Sequence, residues 1–212
     1  AYTFTVRASN GAYISDASAS SVAVTPKTVP GAPTLSAATS STTSPGSATV
    51  TVTPPGSNGG DSIISYTITS SPGGFTCTVL APNTNCIVEG LTPGVAYTFT
   101  AVARNSVPGT SAASVASNSI TPVAKPSAPT NVIAAAGDEE VTVSFTAPSA
   151  NGSPITSYKV IALTIDGVPI SPEKSCTPAG SATSCTITGL DNERPYTFSV
   201  TATNNTSTSI ST

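Results

Sequence analysis

The most reactive side chains in this sequence belong to four cysteines, Cys77, Cys86, Cys176 and Cys185, which fall into two pairs whose members lie nine positions apart. At that spacing a pair can close a disulfide, and a loop of about ten residues contributes on the order of 2.5 to 3 kcal/mol in the chain-entropy account. Four reduced, buried thiols acting as small hydrophobes are the alternative. A metal centre is disfavoured, because each pair supplies only two thiolates and the sequence contains no histidine. Disulfides would place the protein outside a reducing cytoplasm.

No other constellation is suited to catalysis. Serine and threonine make up roughly a third of the chain, a bias that suits the solvent faces of short strands. Without histidine a hydroxyl nucleophile would need a lysine or carboxylate partner, and no motif sets one up. The acidic clusters Asp138-Glu139-Glu140 and Asp191-Asn192-Glu193 lack the alternating oxygen spacing of a calcium loop and read as solvated turns. Neither a catalytic residue, a metal nor a cofactor is expected. Charged residues are 8% of the chain and the formal net charge is −3, so there is no basic surface for nucleic acid. No apolar run reaches the length that spans a membrane, so no membrane insertion is expected. Asn204 and Asn205 head Asn-x-Thr and Asn-x-Ser triplets. Such acceptors arise readily in a Ser/Thr-rich chain, and glycan attachment at them is left open.

The elements that would carry these residues follow from one stretch written three times, at Ala1–Asn10, Ala96–Asn105 and Pro195–Asn204. Each copy alternates larger and small polar residues at a period of two, the pattern of a strand with one face buried. Tyr2, Tyr97 and Tyr196 head the copies at intervals of 95 and 99 residues, the size of a small sandwich domain. A second repeat, T-P-x-x-x-P-x-A-P-T, occupies residues 25–34 and 121–130. Its prolines fix φ and favour an extended, semi-rigid spacer. Residues 1–26, 31–122 and 127–212 are therefore read as three units. Strands are predicted at 48–53, 63–69, 76–80, 85–89, 96–104 and 114–121, and again at 140–146, 155–165, 173–177, 184–188 and 196–203. Two more are predicted in the first unit, the second at 20–26.

Leu91-Thr-Pro-Gly-x-x-Tyr97, its Leu190…Tyr196 equivalent, the Pro-x-Ala-Pro entry and the Asn-Gly-rich loops before Tyr66 and Tyr158 together resemble fibronectin type III domains. More narrowly, the chain is similar to the Ser/Thr/Gly-rich, cysteine-paired kind found in secreted bacterial surface proteins. The resemblance implies an all-β fold of tandem fibronectin type III-like (immunoglobulin-like) β-sandwiches, with strands A, B and E against C, C′, F and G. It also implies a tyrosine corner at Tyr2, Tyr97 and Tyr196, each hydroxyl bonded to nearby backbone. Both cysteine pairs then flank the C′ to E turn. Most rings are claimed by the cores, which leaves no stacking platform for sugars. Tyr13 and Ile14 fall in the F to G loop of the first unit. They are read either as a contact with a neighbouring domain or as folded back on their own sheet.

Aligned by tyrosine, the third unit stops before its G strand, while the chain opens with an F and a G strand. Two arrangements are expected to account for this: a window of a longer array, or a subunit whose sheet is completed by the next copy. The functional expectation is a non-enzymatic structural array of an extracellular bacterial fibre, stalk or surface filament. Its partners would be other copies of itself or further domains of the same chain. The rivals are the spacer part of a secreted polysaccharide-degrading enzyme, and an adhesin binding through loops 54–62 or 105–113.

Overall fold

Val50 and Val52 alternate with Thr49, Thr51 and Thr53, and the strand they form turns the valines inward and the threonines out. The same period-two logic recurs along the chain. The computed structural model describes residues 1–41 and 44–210, and among them there are twelve strands and no helix. Six strands build the first sandwich. One sheet runs β1 (Thr34–Ser40), β2 (Ala48–Thr53), β5 (Asn85–Val88), and the other runs β4 (Thr76–Leu80), β3 (Ser65–Ser71), β6 (Thr98–Arg104). The second sandwich repeats the order. Its sheets run β7 (Thr130–Ala136), β8 (Glu140–Thr146), β11 (Ser184–Thr188) and β10 (Val168–Cys176), β9 (Ile155–Ile165), β12 (Tyr196–Asn204).

Two separate cores fill these sandwiches. Val50, Ile68, Val88 and Phe99 anchor the first, and Val143, Tyr158, Val160 and Val200 the second. In the second, the Phe145 and Tyr158 rings lie 4.6 Å apart and supply aromatic bulk where the first sandwich has Val52. The outward threonines pair across strands, as in Thr67–Thr78 (3.1 Å) and Thr142–Thr186 (2.9 Å), so part of the hydroxyl content stabilises the solvent faces.

Cys77 is bonded to Cys86 and Cys176 to Cys185, with Cα atoms 6.2 and 6.3 Å apart. Both pairs flank the turn that the resemblance places between strands C′ and E. Cys77 lies on β4 and Cys86 on β5, strands of opposite sheets, because the turn between them carries the chain across the sandwich. Each bond therefore clamps one sheet to the other. In the first sandwich, Asn118 ties β1 to the segment after β6 by donating Nδ2–H to the Ala38 carbonyl at 3.0 Å. Its Oδ1 in turn accepts the Ala38 N–H at 3.2 Å.

The segments predicted as a second strand at 20–26 and a last strand at 114–121 are not regular strands. The N–H groups of Ser111, Ser114, Ser117 and Ile120 donate to the carbonyls of Ala103, Ala101, Phe99 and Tyr97, so three residues on one side answer two on the other. At a strand rise of about 3.3 Å this compresses the segment to roughly 2.2 Å per residue, a run of regularly spaced bulges. Bulging would orphan the β6 N–H groups, and serine prevents it. Ser111, Ser114 and Ser117 Oγ accept from Ala103, Ala101 and Phe99 N–H at 2.9–3.0 Å. Residues 1–26 form the same ladder, with Ser15, Ser18, Ser21 and Val24 against Ala8, Val6, Phe4 and Tyr2. Ser209 opens it again beside Ala202.

Candidate functional site: the interdomain joint

The proline-containing segments at 25–34 and 121–130 do not simply bridge two sandwiches. Each is laid into the loops of the unit that follows it. Thr28 N–H donates to the Gly59 carbonyl and Gly31 N–H to the Ser57 carbonyl, both at 2.9 Å. In the second joint, Ala124 N–H donates to Asn151 at 2.9 Å and Ser127 N–H to Ser149 at 3.1 Å. Both joints thus add a short extended segment to the loop between the second and third strands of a sandwich. The sequence reading assigned stiffness to the prolines, and the structure adds these backbone bonds.

A buried asparagine locks each joint. Asn105, with 0% of its surface exposed, donates Nδ2–H to the Thr28 and Asn58 carbonyls at 2.8 Å each, while its Oδ1 accepts the Val107 N–H at 3.0 Å. Asn204 stands at the equivalent place, as the last residue of β12. Its Nδ2 donates to Ala124 at 2.9 Å and Ala150 at 3.0 Å, and its Oδ1 accepts from Thr206 and Ser207 N–H. One primary amide therefore joins three segments: the incoming linker, the loop beneath it and its own turn. Only asparagine or glutamine offers two donors and an acceptor together, and asparagine's short stem holds them against the backbone. The signal was present in the sequence, because all three copies of the repeated stretch end in asparagine, at Asn10, Asn105 and Asn204. It was passed over because asparagine on a polar loop is ordinary.

Backbone approach sets a further requirement. Gly152, at φ +87°, lies where a Cβ would meet the Pro122 carbonyl oxygen at 2.4 Å and the Gly94 nitrogen at 3.1 Å. Gly94 N–H itself donates to Pro122 at 3.0 Å. Gly94 belongs to the turn before β6 and Gly152 to the loop before β9, so the base of the first sandwich abuts the crown of the second. In the first joint, Lys27 Nζ pairs with Asp61 at 3.0 Å, and Ser106 Oγ–H donates to the same carboxylate. The Ser106 hydrogen bond, with that of Lys27 next, holds the Asp61 carboxyl down at about 2. The second joint has Val123 and Ser153 at the corresponding places and carries no such charge pair.

The remaining candidate residues separate as follows. The Tyr97 hydroxyl accepts the Thr92 N–H at 3.1 Å and the Tyr196 hydroxyl accepts the Asp191 N–H at 2.8 Å. Tyr2 is 62% exposed and pairs through its backbone with Val24. Tyr13 and Ile14 are 79% and 69% exposed, and Ile14 bridges Ser9 across the hairpin. The physical reason is direction: they sit at the tip of the 1–26 hairpin, roughly 25 Å along the strand from Tyr2, where the linker leaves. Asn204 has its amide nitrogen committed to three carbonyls and is buried, whereas Asn205 is exposed. Among the described residues no group of three or more acidic, cysteine or histidine side chains is placed to hold a metal ion.

No curated protein matches this chain. Among solved structures it is similar to the FN1–FN3 domains of chicken CNTN1, with a TM-score of 0.51 and 18% identity over 89% of this chain. The match spans 65% of that chain, and at this identity it speaks for the fold alone. The fibronectin type III domain family matches residues 31–118 and 127–212. With two such sandwiches in tandem and the match covering most of its length, this chain belongs to the fibronectin type III domain family.

Proposed function

We propose that this chain is a non-enzymatic structural array, a stiff stretch of an extracellular fibre, stalk or surface filament of a bacterium. The observation that carries the proposal is the repeated joint. Linker carbonyls 28 and 124 are each gripped by the buried asparagine of the next unit, with the same two backbone bonds beside it. A joint built twice to one pattern transmits orientation from unit to unit, as a strut requires and a flexible tether does not. Two disulfides suit an oxidising, extracellular setting. Fibronectin type III domains are in general non-catalytic modules, which fits the absence of a catalytic motif.

The adhesin reading loses support from the same geometry, because loops 54–62 and 105–113 are engaged in holding the incoming linker. Completion of one copy's sheet by the first strands of another is likewise less favoured, since residues 15–24 already pair rung by rung with residues 2–8. Small-angle scattering of the intact chain tests the strut. A single extended conformation with a narrow distribution of maximum dimension is expected, and Asn105→Ala with Asn204→Ala should broaden it. A native chain that already samples a broad range of interdomain angles would overturn the reading.

A further inference from the structure

The two sandwiches differ at one inward position, two residues before the first cysteine of each pair, where Phe75 stands in the first and Lys174 in the second. The Phe75 ring fills a slot on the flank of its sandwich. It lies over Gly90, 3.5 Å from where a Cβ would be, and meets Tyr97 edge-on with centroids 6.3 Å apart. In the second sandwich the corresponding glycine, Gly189, is faced by the Lys174 Nζ instead, and the slot is left open. The register of β10 against β9 widens it. Pro169 pairs with Thr164 and Lys174 with Ala162, so the residues between them on β10 outnumber those on β9 and bow outward as a wall. The result is a cavity of about 330 Å³ lined by Ile165, Pro169, Ile170, Pro172, Leu190 and Tyr196, with Lys174 among them. Such a volume falls within the range of small-ligand sites, roughly 300 to 1,000 Å³. The slot lies beside the joint between units, not in it. In the first sandwich, which another follows, Ser71, Pro72, Gly73, Gly74 and Gly90 stay exposed, and no atom of the following unit comes within 4 Å of where a Cβ would be at Gly74 or Gly90. Contact with the following unit is made at Gly94 instead.

We infer that this cavity binds a small aromatic carboxylate, a molecule with one phenyl-sized ring and an acid group a short chain away. The first sandwich shows where the ring goes, since its own Phe75 fills the matching slot against the corner tyrosine. In the second, Ile170, Leu190 and the Tyr196 ring supply the apolar contacts. The acid group meets Lys174. Every ion pair among the described residues uses another cation, Lys27, Lys159 or Arg194, so the half-buried Lys174 ammonium has no carboxylate within pairing distance. Tyr196 provides a second donor, because its hydroxyl oxygen accepts the Asp191 N–H while its own O–H is left to donate. Asp191 also lines the cavity, but it is exposed, and water and salt screen its charge. A neutral arene would leave the ammonium without a partner, and an acid without a ring would leave the slot underfilled. The site goes beyond the array reading and asks nothing of neighbouring units.

Titration of the 212-residue chain with hydrocinnamate, followed in amide proton–nitrogen NMR spectra, tests it. Saturable shifts are expected at the Ile170, Gly189 and Leu190 amides and none at Gly90 and Leu91, where Phe75 already fills the slot. Hydrocinnamamide keeps the ring and loses the charge, and should bind at least about tenfold more weakly, the scale of one hydrogen bond to a charged group. Propanoate, which has no ring, should give no saturable shift. Lys174→Gln should weaken hydrocinnamate by the same factor and leave the amide unchanged. Lys174→Phe fills the slot as Phe75 does and should abolish both, with native shifts elsewhere showing that it folds; if it does not fold, Lys174→Gln and the amide carry the test. No saturable shift at the three amides at millimolar hydrocinnamate would overturn the site, as would equal affinity of acid and amide or equal shifts at Gly90 and Gly189. Scattering reads the strut separately, so the two failures are told apart.

Discussion

Asn105 donates its amide N–H to the carbonyl of Thr28, 77 positions earlier, and Asn204 reaches Ala124 across 80 positions in the same way. These long-range polar contacts fix where one unit ends and the next begins. Being buried, these bonds cannot be exchanged for water without opening the joint. A proline spacer alone restrains φ, whereas the asparagine restrains position.

Asn105→Ala is expected to cost the sandwich of residues 31–122 about 3 kcal/mol, from three hydrogen bonds at about 1 kcal/mol each. Asn105→Asp should be worse. Its carboxylate would face the Thr28 and Asn58 carbonyls with no donor to offer. Urea denaturation of both variants, followed with scattering at zero denaturant, gives the order. An Asp variant as stable as the native chain would contradict the donor role.

The serine ladder predicts a graded response, because the three hydroxyls do the same work at different depths. Ser114 Oγ satisfies the buried Ala101 N–H, and Ser114 is 8% exposed, whereas Ser117 is more open. Ser114→Ala should cost about 1 to 3 kcal/mol by stranding that donor. Ser117→Ala should cost less, since water can replace the hydroxyl. Amide exchange at Ala101 is expected to accelerate in the first variant and stay near native in the second.

The strands were legible because threonine and valine alternate with little interruption, and the repeated stretch placed Tyr97, Phe99 and Ala101 correctly on one inward face. Asp166-Gly167 forms the two-residue turn linking β9 to β10. What escaped notice had a different period. Ser15, Ser18 and Ser21, like Ser111, Ser114 and Ser117, recur every three residues, and a search for strand alternation at two passes over them. The cavity in the second sandwich needed a comparison of Phe75 with Lys174, and a lone lysine on a strand reads as surface.

Acid should loosen the first joint and spare the second. The folded Asp61 carboxyl lies at about 2, below its ordinary value of 3.8. A lowered folded value means the group contributes stability above the unfolded value, and this is lost as pH falls from about 4 to about 2. Titration of Asp61 by carboxyl-detected NMR should give a midpoint near 2, and Asp61→Asn should abolish the associated change at Ser106. The second joint, with Val123 and Ser153, is expected to be indifferent over the same range.

Tyr158→Phe should leave stability unchanged or raise it. The Tyr158 hydroxyl is buried without a hydrogen-bond partner, and burial pushes the phenol's ionisation upward. Deleting an unsatisfied buried hydroxyl relieves a desolvation cost while the ring keeps its contact with Phe145. A melting temperature several degrees below native would mean that the hydroxyl does have a partner.

Reduction of the disulfides is expected to weaken both sandwiches without unfolding them at room temperature. Each loop of about ten residues contributes about 2.7 kcal/mol, which corresponds to a fall of roughly 10 to 20 °C in the melting temperature of a domain this size. The two sandwiches should respond differently to a second lesion. In the first, the edge opposite the disulfide is pinned by Asn118 and Ala38, so Asn118→Ala should sharpen the effect of reductant there. Calorimetry with and without reductant separates the cases. If the double lesion costs no more than reduction alone, Asn118 does not act as the opposite clamp.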